Sequence, residues 1–322
     1  MIARFAIPFF LVMVIVVVPL LLAVLFRYVL PRKVWRKAAL ACTLFIWALA
    51  GYGFLFGFQQ FEVRYVEYAS PDLPETFDGY RIVQFSDAHV GSLIGSRQWM
   101  VQRAVDSINA QKADAIVFTG DMQNVYPDEL PPQAPFFRQL KAKDGVFAVL
   151  GNHDYAVYQK CDDAEKTTNC QKTVKAMRQM GFDLLLNEHR MISRDSDSIV
   201  IAGMENWGVA QRMPRKGDVE QTLAGLTTHP FIIMLQHDPS CWRERILPEC
   251  SAQLTLSGHT HGGQVSLFGW SPVALSYSEW SGMTYEGSRA INVSTGLGGL
   301  IPFRIGLPGE IVVITLRKKI RN

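Results

Sequence analysis

No Asp or Glu occurs before Glu62, and no charge of either sign occurs from Phe5 to Phe26 or from Ala38 to Phe58. A soluble domain does not leave two such stretches uncharged. Cysteine is also scarce, with five in 322 residues and no Cys-x-x-Cys spacing, so a structural zinc ribbon is excluded. There is no internal repeat and no low-complexity tract, which argues against a solenoid or a disordered chain. A basic excess is missing from the body: the formal charge of the chain is +3, and six basic residues precede Phe61. The part from Glu62 onward is therefore net acidic, which argues against a nucleic-acid-binding domain.

The two uncharged stretches are each long enough, at about 1.5 Å per residue, to cross a hydrocarbon core of about 30 Å. A transmembrane hairpin is expected over residues 1–61, with spans at about 5–26 and 38–58. The first stretch is too long for the apolar part of a cleaved signal. Pro8 and Pro19 are tolerated in a span. Arg27, Arg32, Lys33, Arg36 and Lys37 crowd the connecting loop and its flanks, whereas the residues after the second span turn acidic. The positive-inside rule places that loop in the cytoplasm and the remaining chain, 62–322, outside it. Outside Cys42, the cysteines fall as Cys161/Cys170 and Cys241/Cys250. Local disulfides are the simplest pairing and would suit an oxidising compartment.

Beyond the hairpin, short β-branched runs alternate with helical stretches, which indicates an α/β fold. Strands are expected at Arg81–Phe85, Ala115–Thr119, Gly145–Leu150, Ser198–Ala202, Phe231–Leu235, Gln253–Leu256, Ala290–Val293 and Ile311–Leu316. Helices are expected at Gln98–Asn109 and Cys170–Met180. Five of these strands run into chemistry-bearing segments: Ser86-Asp87-Ala88-His89, Gly120-Asp121, Gly151-Asn152-His153-Asp154, Gln236-His237-Asp238 and Gly258-His259-Thr260-His261-Gly262. Ligands in layered α/β proteins bind beyond the carboxyl ends of strands. Five of the seven histidines lie in these segments; His189 and His229 stand apart and read as ordinary polar positions. Asp and Asn oxygens with imidazole nitrogens and no thiolate suit Mn, Fe or Zn better than Ca. Two such cations close together can clamp a phosphoryl group.

The ordered set Asp87-x-His89, Gly120-Asp121, Gly151-Asn152-His153-Asp154, His237 and Gly258-His259-x-His261 resembles the calcineurin-like metallophosphoesterase superfamily over about Leu73 to Leu316. The stretch Asp78 to Asp87, and Gly296-Leu297-Gly298 followed by Pro302, Arg304 and Gly306, resemble its membrane-anchored bacterial branch, which holds phosphodiesterases and UDP-diacylglucosamine hydrolases. The resemblance implies a four-layer α/β/β/α sandwich behind the two-helix hairpin. It implies two divalent metal ions, one held by Asp87, His89 and His261, the other by Asn152, His237 and His259, with Asp121 bridging both. It further implies a metal-bridging hydroxide as nucleophile, His153 as the catalytic group facing the phosphate, and Asp154 as the group that orients it. Relatives often carry a second acid after the Gly-Asp motif, where this chain has Asn124.

The expected activity is hydrolysis of phosphodiesters, lipid-linked ones included, by an enzyme in the bacterial inner membrane whose catalytic domain lies on the periplasmic or extracellular side. The alternatives are a pyrophosphate hydrolase acting on UDP-diacylglucosamine at the cytosolic face, and a non-catalytic membrane-anchored binding protein. Two segments bear on substrate. Val265–Gly287, with Phe268, Trp270, Tyr277, Trp280 and Tyr285, would line an acyl or base pocket or pack as an aromatic loop. Tyr155–Thr173 would form a lid beside His153 or a plain surface loop.

Overall fold

Strands whose residues are apolar on both faces must be covered on both faces. Arg81–Phe85 (β2), Ala115–Phe118 (β3) and Phe231–Leu235 (β8) are of this kind, buried along almost their whole length. The computed structural model describes residues 12–227 and 230–320, and in it these strands lie in two mixed six-stranded sheets. The other strands are Phe61–Ser70 (β1), Gly145–Ala148 (β4), Asp183–Leu184 (β5), Glu188–Arg194 (β6), Asp197–Gly203 (β7), Leu254–Ser257 (β9), Gly282–Glu286 (β10), Arg289–Val293 (β11) and Gly309–Lys318 (β12). The first sheet has the order β1-β12-β2-β3-β4-β5 and the second β10-β11-β9-β8-β7-β6. In the first, β2 to β5 run parallel and β12 opposes β2. In the second, β7, β8, β9 and β11 run parallel, and β6 and β10 run antiparallel at the two edges.

The sheets stack face to face. Ile82, Val117 and Val149 from one meet Ile201, Ile233 and Leu256 from the other in one buried cluster. The outer face of the first sheet is covered by helices at Gln98–Ala110 and Asp163–Gln179. Val101, Val105 and Ile108 recur at helical spacing there and pack with Val83, Phe85 and Met177. Trp242 and Ile246 cover the outer face of the second sheet against Ile232 and Met234. This is the four-layer sandwich. Every parallel strand that precedes a candidate ligand ends at the same side, which is how residues as distant in the chain as Asp87 and His261 come together.

Ahead of the sandwich stand two apolar helices, α1 (Val18–Val29, entered through a π turn at Met13–Val17) and α2 (Trp35–Leu55). Trp47 Nε1 donates to the Ile15 carbonyl at 2.9 Å, so the two lie side by side. Together with the turn that follows it, α2 forms a helix, Trp35–Gln59, long and apolar enough to cross a membrane. Only 17% of its most apolar window is buried, unlike the core helix of a soluble protein. The start of the first expected span, residues 5–11, lies outside the described residues, as does His229.

The expected disulfides are not present: Cys161, Cys170, Cys241 and Cys250 are free thiols, as is Cys42. Cys241 is spent on packing beside Trp242, and Cys250 Sγ donates to the Ile246 carbonyl at 3.3 Å. The cysteines thus carry no argument about compartment.

The hairpin is stitched to the sandwich. The Phe54 ring meets Phe303, centroids 4.8 Å apart, and the Arg304 amide donates to the Gly53 carbonyl at 3.2 Å. The Arg304 side chain, 1% exposed, donates to the carbonyls of Thr295, Gly296, Gly298, Leu307 and Pro308. Burial lowers its pKa to about 10 against the favourable charges of Glu310 and Asp87. Arg304→Met keeps most of the volume but strands these carbonyls. We expect it to destabilise the chain by about 3 kcal/mol or more, read as a lower urea midpoint of the full chain in detergent. An unchanged midpoint would show that the carbonyls find water.

Candidate metal centre

The seven candidate ligands converge. Asp87, His89, Asp121 and His261 form one group, and Asp121, His237 and His259 a second, with ligand atoms in each within 4.8 Å of one another. Asn152 joins the second group, its Oδ1 lying 3.1 Å from His237 Nε2 and 2.8 Å from His259 Nδ1. Asp121 belongs to both: its Oδ2 is 3.2 Å from His237 Nε2 and 3.6 Å from His89 Nε2.

The backbone bends to achieve this. Asp87, His89, Asp121, His259 and His261 all have positive φ, between 41° and 72°. That left-handed region costs a residue with a Cβ on the order of 1 kcal/mol or more, and such outliers gather at functional sites. Asp, Asn and His tolerate it best, which are the residue types found here. Gly120 has φ +99°, and a Cβ there would sit 2.6 Å from the Gly151 nitrogen, so the two loops meet only because no side chain intervenes.

The electrostatics call for cations. His89 Nε2 and His261 Nε2 face one another at 3.1 Å, and His261 Nε2 is 3.4 Å from Asp87 Oδ1. Burial drives His89 down to about 3, and burial followed by His89 drives His261 well below the ordinary range, so both rings offer lone pairs. Burial pushes Asp87 up to about 7, Asp121 adding to the push against the pull of His237. Asp121 would be raised by its burial too, yet His237 and its other histidine neighbours hold it well below the ordinary carboxylate range. Burial opposes the charged form of His237, but Asp121 and Asp87 raise it to about 10. A proton on His237 thus neutralises acids that a metal ion would otherwise neutralise. Its Nδ1–H donates to the Thr119 carbonyl at 2.7 Å, which leaves Nε2 as the inward atom. Converging neutral nitrogens, two buried carboxylates and an amide oxygen make a donor set that fits two divalent ions sharing Asp121.

His153 sits over this cluster, 9% exposed while Asp87, His89 and His237 are fully buried. Its ring meets His89 edge-on at 4.8 Å and Tyr158 at 4.3 Å. Its orientation differs from the expectation that Asp154 holds it. The Asp154 carboxylate accepts from the backbone of Asp121, Met122, Gln123 and Gly151 at 2.9–3.3 Å. It clamps the Gly120-Asp121 loop. The His153 ring is held instead by the Asn124 carbonyl, to which Nδ1–H donates. The Asn124 loop is held in turn by the Glu129 carboxylate, which accepts from the amides of Asn124, Val125 and Tyr126. The gap left by the missing second acid pointed at this position, but a backbone carbonyl leaves no mark in a sequence.

Two tyrosines complete the rim. Asn152 Nδ2 donates to the Tyr158 hydroxyl at 2.9 Å, and the Tyr277 hydroxyl lies 2.8 Å from His259 Nε2. The aromatic segment 265–287 therefore supplies one residue, Tyr277, to the site, and the Trp280 carbonyl accepts from Thr260 beside it. Tyr155 turns away: it is buried and bonds to Glu205 at 3.0 Å. Among the residues of the expected lid, Tyr158 is the one beside His153. His189 lies on β6 with Nδ1 against the Thr222 carbonyl, apart from the cluster.

Two sheets stacked between helices, with oxygen and nitrogen donors gathered at one end of their parallel strands, define a metal-dependent phosphoesterase. The chain belongs to the calcineurin-like phosphoesterase family, whose model matches residues 80–263. It is 33% identical over 278 residues to an uncharacterized metallophosphoesterase of Bacillus subtilis (strain 168), YkuE, covering 83% of this chain and 90% of that protein. It is 32% identical to a zebrafish (Danio rerio) transmembrane protein with metallophosphoesterase domain, covering 84% of this chain but 60% of that longer protein. It is also 29% identical to the UDP-2,3-diacylglucosamine pyrophosphatase LpxG of Chlamydia trachomatis, covering 76% of this chain and 86% of the relative. Its family works with two divalent metals, and the cluster around Asp121 is where this chain can hold them.

Proposed function

We propose that this chain is a membrane-tethered phosphodiesterase with a two-metal centre, acting on lipid-linked or envelope-derived phosphodiesters outside the cytoplasm. The observation that carries the reading is the sharing of Asp121 between two complete donor groups. Asp87, His89 and His261 would hold one ion, Asn152, His237 and His259 the other, and Asp121 both. Ions held there would supply Lewis acidity, polarising phosphoryl oxygens and lowering the pKa of water. The donor chemistry suits manganese, iron or zinc.

The protein's own groups do the rest. His153 keeps Nδ1–H on the Asn124 carbonyl, so Nε2 is the atom left for the substrate. With a second proton on Nε2 the ring is an imidazolium, which passes that proton to the leaving oxygen and returns to the neutral Nδ1–H form. Asp154 acts at one remove, through the loop that places Asp121. The Tyr158 and Tyr277 hydroxyls border the metal side and are oriented by Asn152 and His259. The tether would be the two-helix hairpin, of which Val18–Val29 and Trp35–Leu55 are described, and its basic connecting loop supports a cytoplasmic position for that loop, with the catalytic domain outside.

The likeness to LpxG favours a second reading, hydrolysis of a UDP-sugar lipid pyrophosphate. Nucleotide sugars are cytosolic, so this reading needs the opposite orientation. The test is purification in detergent, metal analysis, and a comparison of phospholipids, cyclic nucleotides and UDP-diacylglucosamine as substrates, with a phosphatase reporter fused after Asn322. Our reading expects about two metal ions per chain, phosphodiester turnover and an active external reporter. Turnover of UDP-diacylglucosamine alone, with a silent reporter, would establish the second reading instead.

A further inference from the structure

From Gly262 to Ser278 the chain carries no charged side chain. This loop leaves the metal centre at His261 and returns to it at Tyr277. Between them it makes a tight hairpin turn. The Leu267 amide donates to the Trp270 carbonyl at 2.9 Å, and the reverse bond is 3.1 Å. At the tip Phe268 adopts a φ of 54° and is fully exposed. Leu267 and Trp270 are about half exposed, and Leu275 is 82% exposed. Four large apolar side chains, from half to fully exposed, thus stand in one uncharged loop. Isolated exposed apolar residues need no explanation, but a contiguous apolar patch marks a binding surface.

The position of the loop identifies what covers it. Its root is sewn to the segment that receives the membrane helix. Val265 pairs with Ile305, the Ser266 amide donates to the Ile305 carbonyl at 2.9 Å, and Gln264 Nε2 donates to the Ile301 and Phe303 carbonyls at 2.7 Å each. The next contacts of that same segment are with α2: Phe303 on Phe54, and the Arg304 amide on the Gly53 carbonyl. The last turn of α2 and the residue after it expose Tyr52, Leu55 and Phe56. The apolar surface of the loop therefore lies one segment away from the end of the helix that crosses the bilayer.

We infer that Leu267, Phe268, Trp270 and Leu275 dip into the interfacial layer of the bilayer that α2 spans. The inference rests on reading α2 as a span. The absence of charge over Gly262–Ser278 removes the main cost of entering that layer. Trp and Phe suit the boundary between headgroups and acyl chains. A soluble partner or a second copy of the chain would also bury apolar surface, but neither accounts for the direct link to α2. The loop carries Tyr277 to His259 at one end and follows His261 at the other. Its insertion holds the mouth of the metal centre at headgroup depth, so that phosphoesters presented by membrane lipids reach His153 without leaving the bilayer.

The test uses the full chain in vesicles of phosphatidylethanolamine and phosphatidylglycerol. An environment-sensitive fluorescent amino acid replaces Phe268, Leu44 in the middle of α2, or Met191 on β6 at the far edge of the second sheet, one at a time. Lipids carrying a nitroxide quencher near the headgroup or deep in the acyl chain are then added. The label at 268 is expected to lose most of its emission to the shallow quencher, the label at 44 to the deep one, and the label at 191 to neither. A quenched 44 with an unquenched 268 overturns the loop contact while leaving the tether intact. An emission shift at 268 without quenching, as burial against a second copy would produce, overturns it equally. A label at 44 that escapes quenching removes the tether and the loop contact together. None of these readouts depends on catalysis, so they stand apart from the identity of the substrate.

Discussion

Asp121→Asn is expected to lower the bound metal from two ions per chain toward none and to cut phosphodiester turnover by well over about 100-fold, the loss that removing an outer partner of a metal ligand can already cause. The reason is geometric. Asp121 Oδ2 faces His237 Nε2 at 3.2 Å and His89 Nε2 at 3.6 Å, so one oxygen serves both donor groups. Its other oxygen accepts from the His153 amide at 2.8 Å, which also fixes the backbone of the proposed general acid. Asparagine keeps the shape and can keep that bond, so the fold should survive. It removes the negative charge that balances His237 and that two cations would share. Elemental mass spectrometry and circular dichroism on the purified variant check this. A folded Asp121→Asn protein that retains both ions would refute the shared role.

His153→Gln is expected to behave differently. His153 lies outside both ligand groups and its Nδ1 is committed to the Asn124 carbonyl. The variant should keep both metal ions and lose turnover by about 10²–10⁴-fold, the range for a positioned acid or base. The loss should depend on the leaving group. A nitrophenolate departs without a proton, so the aryl ester should suffer less than an alkyl ester, whose alkoxide needs one. Equal losses on the two esters would mean that His153 acts through charge or shape and not by protonation. The pair of variants thus separates metal binding from proton transfer.

Much of this centre was legible before any coordinates. Each ligand follows a strand, and the strands are short runs of Ile, Val, Phe and Leu with no competing helical period. Arg81–Phe85 and Phe231–Leu235 match their expected limits residue for residue. The misses have identifiable causes. β1 has no place among the expected strands because Glu62, Arg64 and Glu67 interrupt its apolar pattern; it is a strand because β12, almost 250 residues later, supplies a parallel partner. β10 was hidden in an aromatic segment and is drawn into the second sheet by β11. Equal spacing made the cysteine pairs look like bridges, but Cys241 belongs to the outer core with Trp242. Adjacency made Asp154 look like the partner of His153, but its carboxylate is taken up by the amides of Asp121, Met122, Gln123 and Gly151, while the His153 ring meets the Asn124 carbonyl.

Residue order alone determined the candidate ligand types, the strands that carry them, and an apolar helix ahead of the domain, because each is set by short-range pattern: burial period, charge, and the chemistry of a few adjacent side chains. Tertiary structure alone decided that five ligand residues would sit at positive φ, that a carbonyl at Asn124 would hold His153, and that Arg304 would tie the helix end to the loops behind the metal centre. These depend on contacts between segments distant in the chain: a backbone carbonyl has no residue type that announces it, and Asp and His tolerate a left-handed turn without requiring one.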